Sequence, residues 1–163
     1  MKGTVRSLAF ALLIPGFISA CSPQSSRSPV TTLAIKAAID SLWTGYAHAS
    51  DQRDAAAFGA LFTEDAALLY SGAPTARGRE AIHTYLASRY AGIDATGLRV
   101  VPDETRVSGL FAVQGGTFEE SFLKNDKPMM ELGRFTLVAE MGPDHAWKIM
   151  RLTAIVDSTA ASP

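Results

Sequence analysis

Four residues combine reactive side chains with apolar surroundings. Glu120 and Arg134 each interrupt an apolar segment that has the composition of a β-strand, while Tyr46 and Tyr70 end short apolar runs nearer the N-terminus. A carboxylate can accept a proton, a buried phenol can donate to a developing negative charge, and a guanidinium binds anions through charge-assisted hydrogen bonds. Tyr46, Tyr70, Glu120 and Arg134 are therefore the candidates for chemistry.

Each candidate also has a purely structural interpretation. If the strands that carry them pair about a turn at Asn125 and Asp126, Glu120 and Arg134 are diagonal neighbours that can form a cross-strand ion pair. Tyr46 can equally be a core tyrosine whose hydroxyl meets a polar partner. A phenol titrates near about 10, so Tyr70 is a poor general base at neutral pH.

The composition favours a single globular domain and argues against nucleic acid as a partner. Of 163 residues, 47% are hydrophobic and 19% are charged, with a formal net charge of -1. Such a chain has no basic excess for polyanions.

His48, His83 and His145 lie in separate segments, and no metal-ligand spacing or glycine-rich phosphate loop is present. We therefore expect neither a metal nor a cofactor.

The N-terminal 20 residues have the pattern of a signal peptide. Lys2 and Arg6 precede an apolar run over residues 8–18, which is too short to span a bilayer comfortably. The run ends in the sequence ISAC, which resembles the lipobox of bacterial lipoproteins. Cleavage there occurs before the cysteine, which is then acylated.

Cys21 is the only cysteine, so it cannot form an internal disulfide. The resemblance implies a lipid anchor at Cys21, in the bacterial cell envelope on the periplasmic side, and Ser22 at the next position suggests the outer membrane. The lipid would anchor the chain without spanning the membrane.

The remaining chain divides into a tether, one domain and a tail. Residues 21–30 are rich in serine and proline, as is typical of a flexible linker. The domain is predicted over residues 31–157, and residues 158–163 are predicted to be a disordered tail.

Hydrophobic spacing predicts helices first and strands afterwards. A helix capped by Thr31 or Thr32, a short helix capped by Asp54 and a third helix opening at Gly78 share three- and four-residue apolar spacing. A short strand over residues 66–70 separates the last two. Strands follow over residues 98–107 and 110–123, and residues 129–156 form a hairpin with apolar residues on both faces.

This order of elements resembles the nuclear transport factor 2-like superfamily, especially its SnoaL-like and ketosteroid isomerase-like domains, over residues 33–156. The motifs that carry the resemblance are Asp65-Ala66, RGREAI at residues 77–82, Ser108-Gly109, Ala112-Val113, Gly116, Gly133-Arg134-Phe135 and Trp147-Lys148-Ile149. It implies an α+β fold, a cone-shaped roll of three N-terminal helices packed on a curved, mostly antiparallel sheet. The pocket of this family opens between the concave face of the sheet and the first helix.

The resemblance also implies which residues line the pocket. In the predicted register Phe118 lies opposite Arg134, Glu120 opposite Leu132 and Phe122 opposite Met130, with Leu152 near Arg134. The ligand-binding set is then Trp43, Tyr46, Tyr70, Phe118, Glu120, Phe122, Met130, Leu132, Arg134, Leu152 and Ala154.

Three of these residues match functional positions of ketosteroid isomerases. Tyr46 matches the oxyanion-stabilising tyrosine, Tyr70 stands where the aspartate base is expected, and Arg134 lies near the second oxyanion acid. An arginine there would favour a carboxylate or enolate in the ligand.

The opposite face of the sheet has no helices left to cover it. It is predicted to carry Val113, Phe135, Leu137, Trp147 and Ile149, and a homodimer formed through the sheet would bury it.

Three functions remain open from the sequence. The first is a lipid-anchored domain that binds a small apolar or weakly anionic molecule in the cone without catalysis. The second is a metal-independent acid–base enzyme of the isomerase, dehydratase or cyclase type that uses Tyr46 with Tyr70 or Glu120. The third is a structural role with a collapsed cone. A fold alone does not choose among them.

Overall fold

The computed structural model describes residues 29–162, which form three helices followed by a sheet of six strands. In chain order the elements are α1 (Pro29–Gln52), α2 (Ala55–Ala60), β1 (Phe62–Tyr70), β2 (Ala76–Arg77), α3 (Arg79–Ala91), β3 (Asp94–Ser108), β4 (Phe111–Lys124), β5 (Lys127–Met141) and β6 (Trp147–Ala161). The predicted signal peptide, Cys21 and all but the last two residues of the predicted tether lie outside these residues. No helix within the described range has the length and apolarity needed to cross a bilayer.

The helix boundaries follow from local sequence. Proline suits the first position of α1 because the N–H group it lacks would have no partner there. The helix therefore begins at Pro29 and passes through the predicted caps at residues 31 and 32. Asp54 caps α2 as predicted, with its side chain accepting a 2.9 Å hydrogen bond from the Ala57 N–H group. Gly78 precedes α3 with φ of 82°, a conformation that favours glycine.

The sheet is mixed, and its order is β2-β1-β6-β5-β4-β3. All neighbouring strands are antiparallel except β1 and β6, which run parallel. Irregularities in the β3–β4 and β5–β6 pairs are the kind of defect that bends strands. The predicted α+β fold, with helices packed on a curved and mostly antiparallel sheet, is confirmed.

The core lies between the helices and one face of the sheet, called here the inner face. The fully buried side chains come from every layer, which shows that a single core holds the described residues together: Ile39, Phe58, Phe62, Leu68, Ile82, Leu86, Leu137 and Ile149. Burying each such side chain contributes about 1.5–3 kcal/mol before the loss of conformational freedom.

The predicted register of β4 and β5 is wrong by one residue. Phe118 lies opposite Gly133 and Glu120 lies opposite Glu131. The reason is the turn: Asn125 and Asp126, with φ of 53° and 61°, form a two-residue loop that pairs the residues on either side. A one-residue shift moves every side chain of a strand to its other face.

The shift exchanges two groups of residues between the faces. Met130, Leu132 and Arg134, predicted to face the interior, lie on the outer face of the sheet, where Leu132 is 41% exposed. Phe135, Leu137 and Ile149, predicted to form the outer face, are buried in the core. The predicted proximity of Leu152 to Arg134 is also wrong, because Leu152 pairs with Leu137.

Both ends of the domain extend further than predicted, and the first helix begins at Pro29 rather than at residue 31. The last strand continues through residues 158–161, which were predicted to be disordered, and Ala161 pairs with Met129.

Gly133 is required by close packing on both sides. A Cβ atom at this position would lie 2.5 Å from ring carbons of Phe118 and would also clash with the backbone oxygen of Ile155. The absence of a side chain at Gly133 therefore lets the Phe118 ring cross β5 on the inner face.

Candidate functional site

A narrow cavity of about 30 Å³ lies between α1 and the inner face of the sheet. Its walls are mostly apolar, and its lining consists of Trp43, Tyr46, Tyr70, Leu98, Val100, Phe118, Glu120, Phe135, Leu152 and Ala154. Seven of the predicted pocket residues meet here: Trp43, Tyr46, Tyr70, Phe118, Glu120, Leu152 and Ala154. Phe122 is buried on the same face but does not line the cavity.

Tyr46 is a buried residue whose hydroxyl group makes no hydrogen bond to residues 29–162. Its ring packs edge-on against Phe58 at 4.7 Å and lies 5.8 Å from the indole of Trp43. Burial raises the pKa of Tyr46 well above its usual value, and the nearby Tyr90 and Glu120 raise it further. The phenol therefore stays neutral and can donate a hydrogen bond into the cavity.

Arg89 holds together a group of acidic and phenolic side chains at one end of the cavity. Its Nη2 atom lies 2.8 Å from Glu120 Oε2 and 2.9 Å from Glu131 Oε2, and it donates to the Tyr70 hydroxyl at 2.8 Å. The two carboxylates and one guanidinium leave a net charge of -1. We call Arg89, Glu120, Glu131 and Tyr70 the Arg89 cluster.

Tyr70 is a hydrogen-bond donor within this cluster. Its hydroxyl donates to Glu131 Oε2 at 2.6 Å, and the guanidinium carbon of Arg89 lies 4.3 Å from the centre of its ring. Burial is the largest cause that raises the pKa of Tyr70, and its hydrogen bond to Glu131 adds to the rise. A phenol held in the neutral form in this way does not serve as a general base.

A second polar chain fixes the indole of Trp43. Trp43 Nε1 donates to Gln114 Oε1 at 2.6 Å, and the fully buried Gln114 donates through Nε2 to Asp40 at 2.9 Å and to Thr105 at 3.0 Å. These contacts tie α1, β3 and β4 together. They satisfy an amide that would be costly to bury alone.

An open groove of about 600 Å³ lies outside the cavity, between α1 and β3. Its walls include Asp40, Thr44 and Ala47 of the helix. Trp43, Leu98 and Val100 line both the groove and the cavity, so they form the partition between the two spaces.

The predicted role of Arg134 in the pocket is not supported by its position. The side chain is 65% exposed on the outer face and binds Asp157, with Nη2 to Oδ1 at 2.8 Å. The predicted ion pair between Glu120 and Arg134 is therefore wrong. Glu120 instead pairs with Arg89.

Sequence reasoning missed Arg89, Glu131 and Gln114. Arg89 follows Tyr85 by four residues and Leu86 by three, so a charged residue within the apolar face of α3 was the available signal. Glu131 was predicted to lie at the rim or in solvent, and the correct register places it opposite Glu120. No sequence pattern marks Gln114.

Comparison with solved structures shows the same fold at low sequence identity. A ketosteroid isomerase-like protein from Erwinia carotovora atroseptica is 18% identical, with a TM-score of 0.68 over 75% of this chain and 95% of that one. An NTF2-like protein with a cystatin-like fold from Novosphingobium aromaticivorans is 20% identical, with a TM-score of 0.69 over 79% and 86%. A hexachlorocyclohexane dehydrochlorinase is 16% identical, with a TM-score of 0.64 over 83% and 94%.

A search of curated protein sequences finds no match. The model of the SnoaL-like domain family matches residues 31–153, which is most of the region that the structure describes. The chain carries the nuclear transport factor 2-like fold and belongs to the SnoaL-like domain family.

Proposed function

We propose that the domain binds a small, uncharged and largely apolar molecule between α1 and the sheet, with a polar group of the ligand at Tyr46 and Glu120. The observation that carries this proposal is the Tyr46 hydroxyl group, which has no partner among residues 29–162 on a residue that lines a largely apolar cavity. A ligand oxygen can accept the hydrogen bond that this hydroxyl group has free to donate.

The charges at the end of the cavity decide the ligand class. The anionic ligand expected from the sequence rested on Arg134, which lies on the outer face. Arg89 is already shared by two carboxylates, and the Arg89 cluster carries a net charge of -1. A carboxylate in the ligand would be repelled there, whereas a hydroxyl group can donate to Glu120 and accept from Tyr46.

Binding without turnover fits the side chains better than catalysis does. Tyr46 and Tyr70 have pKa values raised by burial, so neither phenol is a base. Glu120 accepts a hydrogen bond from Arg89 at 2.8 Å and lies 3.5 Å from the Tyr90 hydroxyl. These contacts tie the carboxylate into the fold and still leave acceptor sites on it for a ligand hydroxyl group.

Thermal denaturation with three related naphthalenes tests this proposal. We expect 2-naphthol to raise the melting temperature, while 2-naphthoate, which is charged, and naphthalene, which has no polar group, have much smaller effects. Tyr46→Phe should reduce the 2-naphthol shift. If all three compounds leave the melting temperature unchanged, the structural role that the sequence left open gains support.

An acid–base enzyme is the second candidate. Glu120 and the Tyr46 hydroxyl line one cavity, so a carboxylate and a neutral proton donor would both face a bound molecule. A hexachlorocyclohexane dehydrochlorinase shares this fold, so the fold can host an elimination reaction. Loss of 2-naphthol binding in Glu120→Gln would favour a binding role for the carboxylate. Unchanged binding, together with turnover of a carbonyl compound that Glu120→Gln abolishes, would favour the enzyme.

We further propose that the chain is a bacterial envelope lipoprotein that associates through the outer face of the sheet. The lipobox-like sequence before Cys21 supports the anchor. Exposed apolar side chains on the outer face support a homodimer, and the set differs from the predicted one: Val101, Phe111, Val113, Leu132 and Ile155. Only Val113 was in the predicted set.

A further inference from the structure

The cavity is too small for the molecule it is proposed to bind. Its volume of about 30 Å³ is far below that of a cavity that binds benzene, which measures about 150 Å³. An organic ligand can therefore reach the Tyr46 hydroxyl only if one wall of the cavity moves.

The wall that separates the cavity from the groove can move most easily, because there is open space behind it. It consists of Trp43, Leu98 and Val100. Leu98 and Val100 belong to β3, whose backbone is paired to β4 along its length. Trp43 is a single large side chain on a helix, and the groove of about 600 Å³ lies directly beside it.

We infer that the groove and the cavity are two parts of one elongated ligand site, divided by the indole of Trp43. This inference rests on the proposed function. The ligand is then an uncharged, rod-shaped apolar molecule with a hydroxyl group at one end. That end reaches Tyr46 and Glu120, and the other end lies in the groove beside Thr44 and Ala47.

Gln114 is the positioning residue that holds the indole between the groove and the cavity. It accepts the 2.6 Å hydrogen bond from the indole, and its own amide group is fixed by Asp40 and Thr105. The edge-on contact of Trp43 with Phe135, at 4.6 Å, holds the other side of the indole. Displacing the indole breaks this hydrogen bond and its ring contacts with Phe135 and Tyr46.

Removal of the indole tests the division directly. In the full chain, Trp43→Ala should join the two spaces and tighten the binding of 4-hydroxybiphenyl at least about tenfold, since the ligand no longer has to displace the indole. Trp147→Ala, which removes the other tryptophan at a site that lines neither space, is the matched control and should bind as the wild type does. Isothermal titration calorimetry measures each affinity.

Each outcome of this experiment separates the inference from the proposed function. Equal affinity in the wild type and Trp43→Ala overturns the inference and leaves the proposed function standing. Binding by Trp43→Ala alone supports the division and overturns ligand binding by the native protein. If neither the wild type nor a folded variant binds the compound, both the inference and the proposed function are overturned.

Gln114→Leu provides a second test that keeps the indole, in case Trp43→Ala does not fold. We expect the association rate of 4-hydroxybiphenyl to rise up to about tenfold with little change in the dissociation rate, so that the dissociation constant falls by the same factor, because the lost hydrogen bond holds the indole only in the ligand-free protein. Acrylamide quenching of Trp43 in a Trp147→Phe background should rise several-fold without any ligand. Unchanged rates and unchanged quenching overturn the inference, whereas a purely structural role of Gln114 would lower the melting temperature without raising the association rate.

Discussion

Glu120 and Glu131 lie directly opposite each other on β4 and β5, and both carboxylates contact one atom, Nη2 of Arg89. Like charges placed opposite each other on adjacent strands destabilise a sheet. Arg89 on α3 removes that repulsion, and in doing so it ties the helix to the middle of the sheet. The Arg89 cluster thus combines two functions, one in stability and one in the polarity of the cavity.

Loss of the Arg89 charge should strongly destabilise the domain. Arg89→Met leaves two largely buried carboxylates without their cation, and we expect the free energy of unfolding to fall by about 3–5 kcal/mol at pH 7. Urea denaturation measures the effect, with the exposed Arg134→Met as control, which should change the free energy of unfolding far less. Equal losses in the two variants would contradict the role of Arg89.

Stability should fall in alkaline solution because of the buried tyrosines. Burial raises the pKa of Tyr46 in the folded state, so above about pH 10 the unfolded chain releases a proton that the folded chain keeps. Stability from this group is complete below pH 10 and decreases by about 1.4 kcal/mol per pH unit above it. Tyr46→Phe should remove that part of the slope in urea titrations between pH 9 and 11. An unchanged slope would show that Tyr46 ionises in the folded protein.

Gly133→Ala should destabilise the domain by about 1–3 kcal/mol, because the added methyl group meets the Phe118 ring and the backbone of β6. Gly97→Ala, also in the sheet but with no atom within 4 Å of the new methyl group, is the control and should be close to neutral. Thermal and urea unfolding measure both variants. A neutral Gly133→Ala would mean that the Phe118 ring does not lie over β5.

Self-association should depend on the outer face of the sheet. Leu132→Glu places a charge among the exposed apolar residues and should convert a dimer to a monomer in sedimentation equilibrium. Leu33→Glu changes an even more exposed leucine, at 69%, on α1 and should leave the dimer intact. A wild-type monomer at high micromolar concentration would refute the dimer.

Membrane association should depend on Cys21 alone. Cys21→Ser removes the acyl acceptor, so we expect the protein to move from the membrane fraction to the soluble fraction after cell disruption. Immunoblotting of the two fractions is sufficient. Continued recovery of Cys21→Ser with the membrane would refute lipidation at this residue.

The sequence predicted the fold well because the determinants of the helices and turns are local. Asp54 caps α2 from its own position, and the hairpin turn at Gly142 falls where glycine and proline placed it. The predicted register of β5 was wrong because it, too, depended on a local determinant, the length of one turn. A turn at Asn125 and Asp126 that is one residue longer or shorter exchanges the two faces of β5. Because the hairpin is apolar on both faces, its hydrophobic pattern could not show which register is correct.

The site was only half predictable because its polar residues depend on partners far apart in the chain. Tyr46, Tyr70 and Glu120 were identified from their apolar surroundings and from the family resemblance. Arg89 is 31 residues from Glu120 and 42 from Glu131, and nothing in the sequence brings them together. A charge within an apolar helix face indicates a buried partner, but it does not say which one.

The position of β6 also constrains how the chain can fold. Although it follows all the other strands in sequence, β6 lies between β1 and β5, and Leu152 pairs with Leu68 from the first strand. Contacts so distant along the chain slow folding because a long loop must close first. On the ribosome, β1 and the meander of β3 to β5 are therefore made before the strand that joins them in the sheet, and the cavity lacks part of its wall until Leu152 and Ala154 are added.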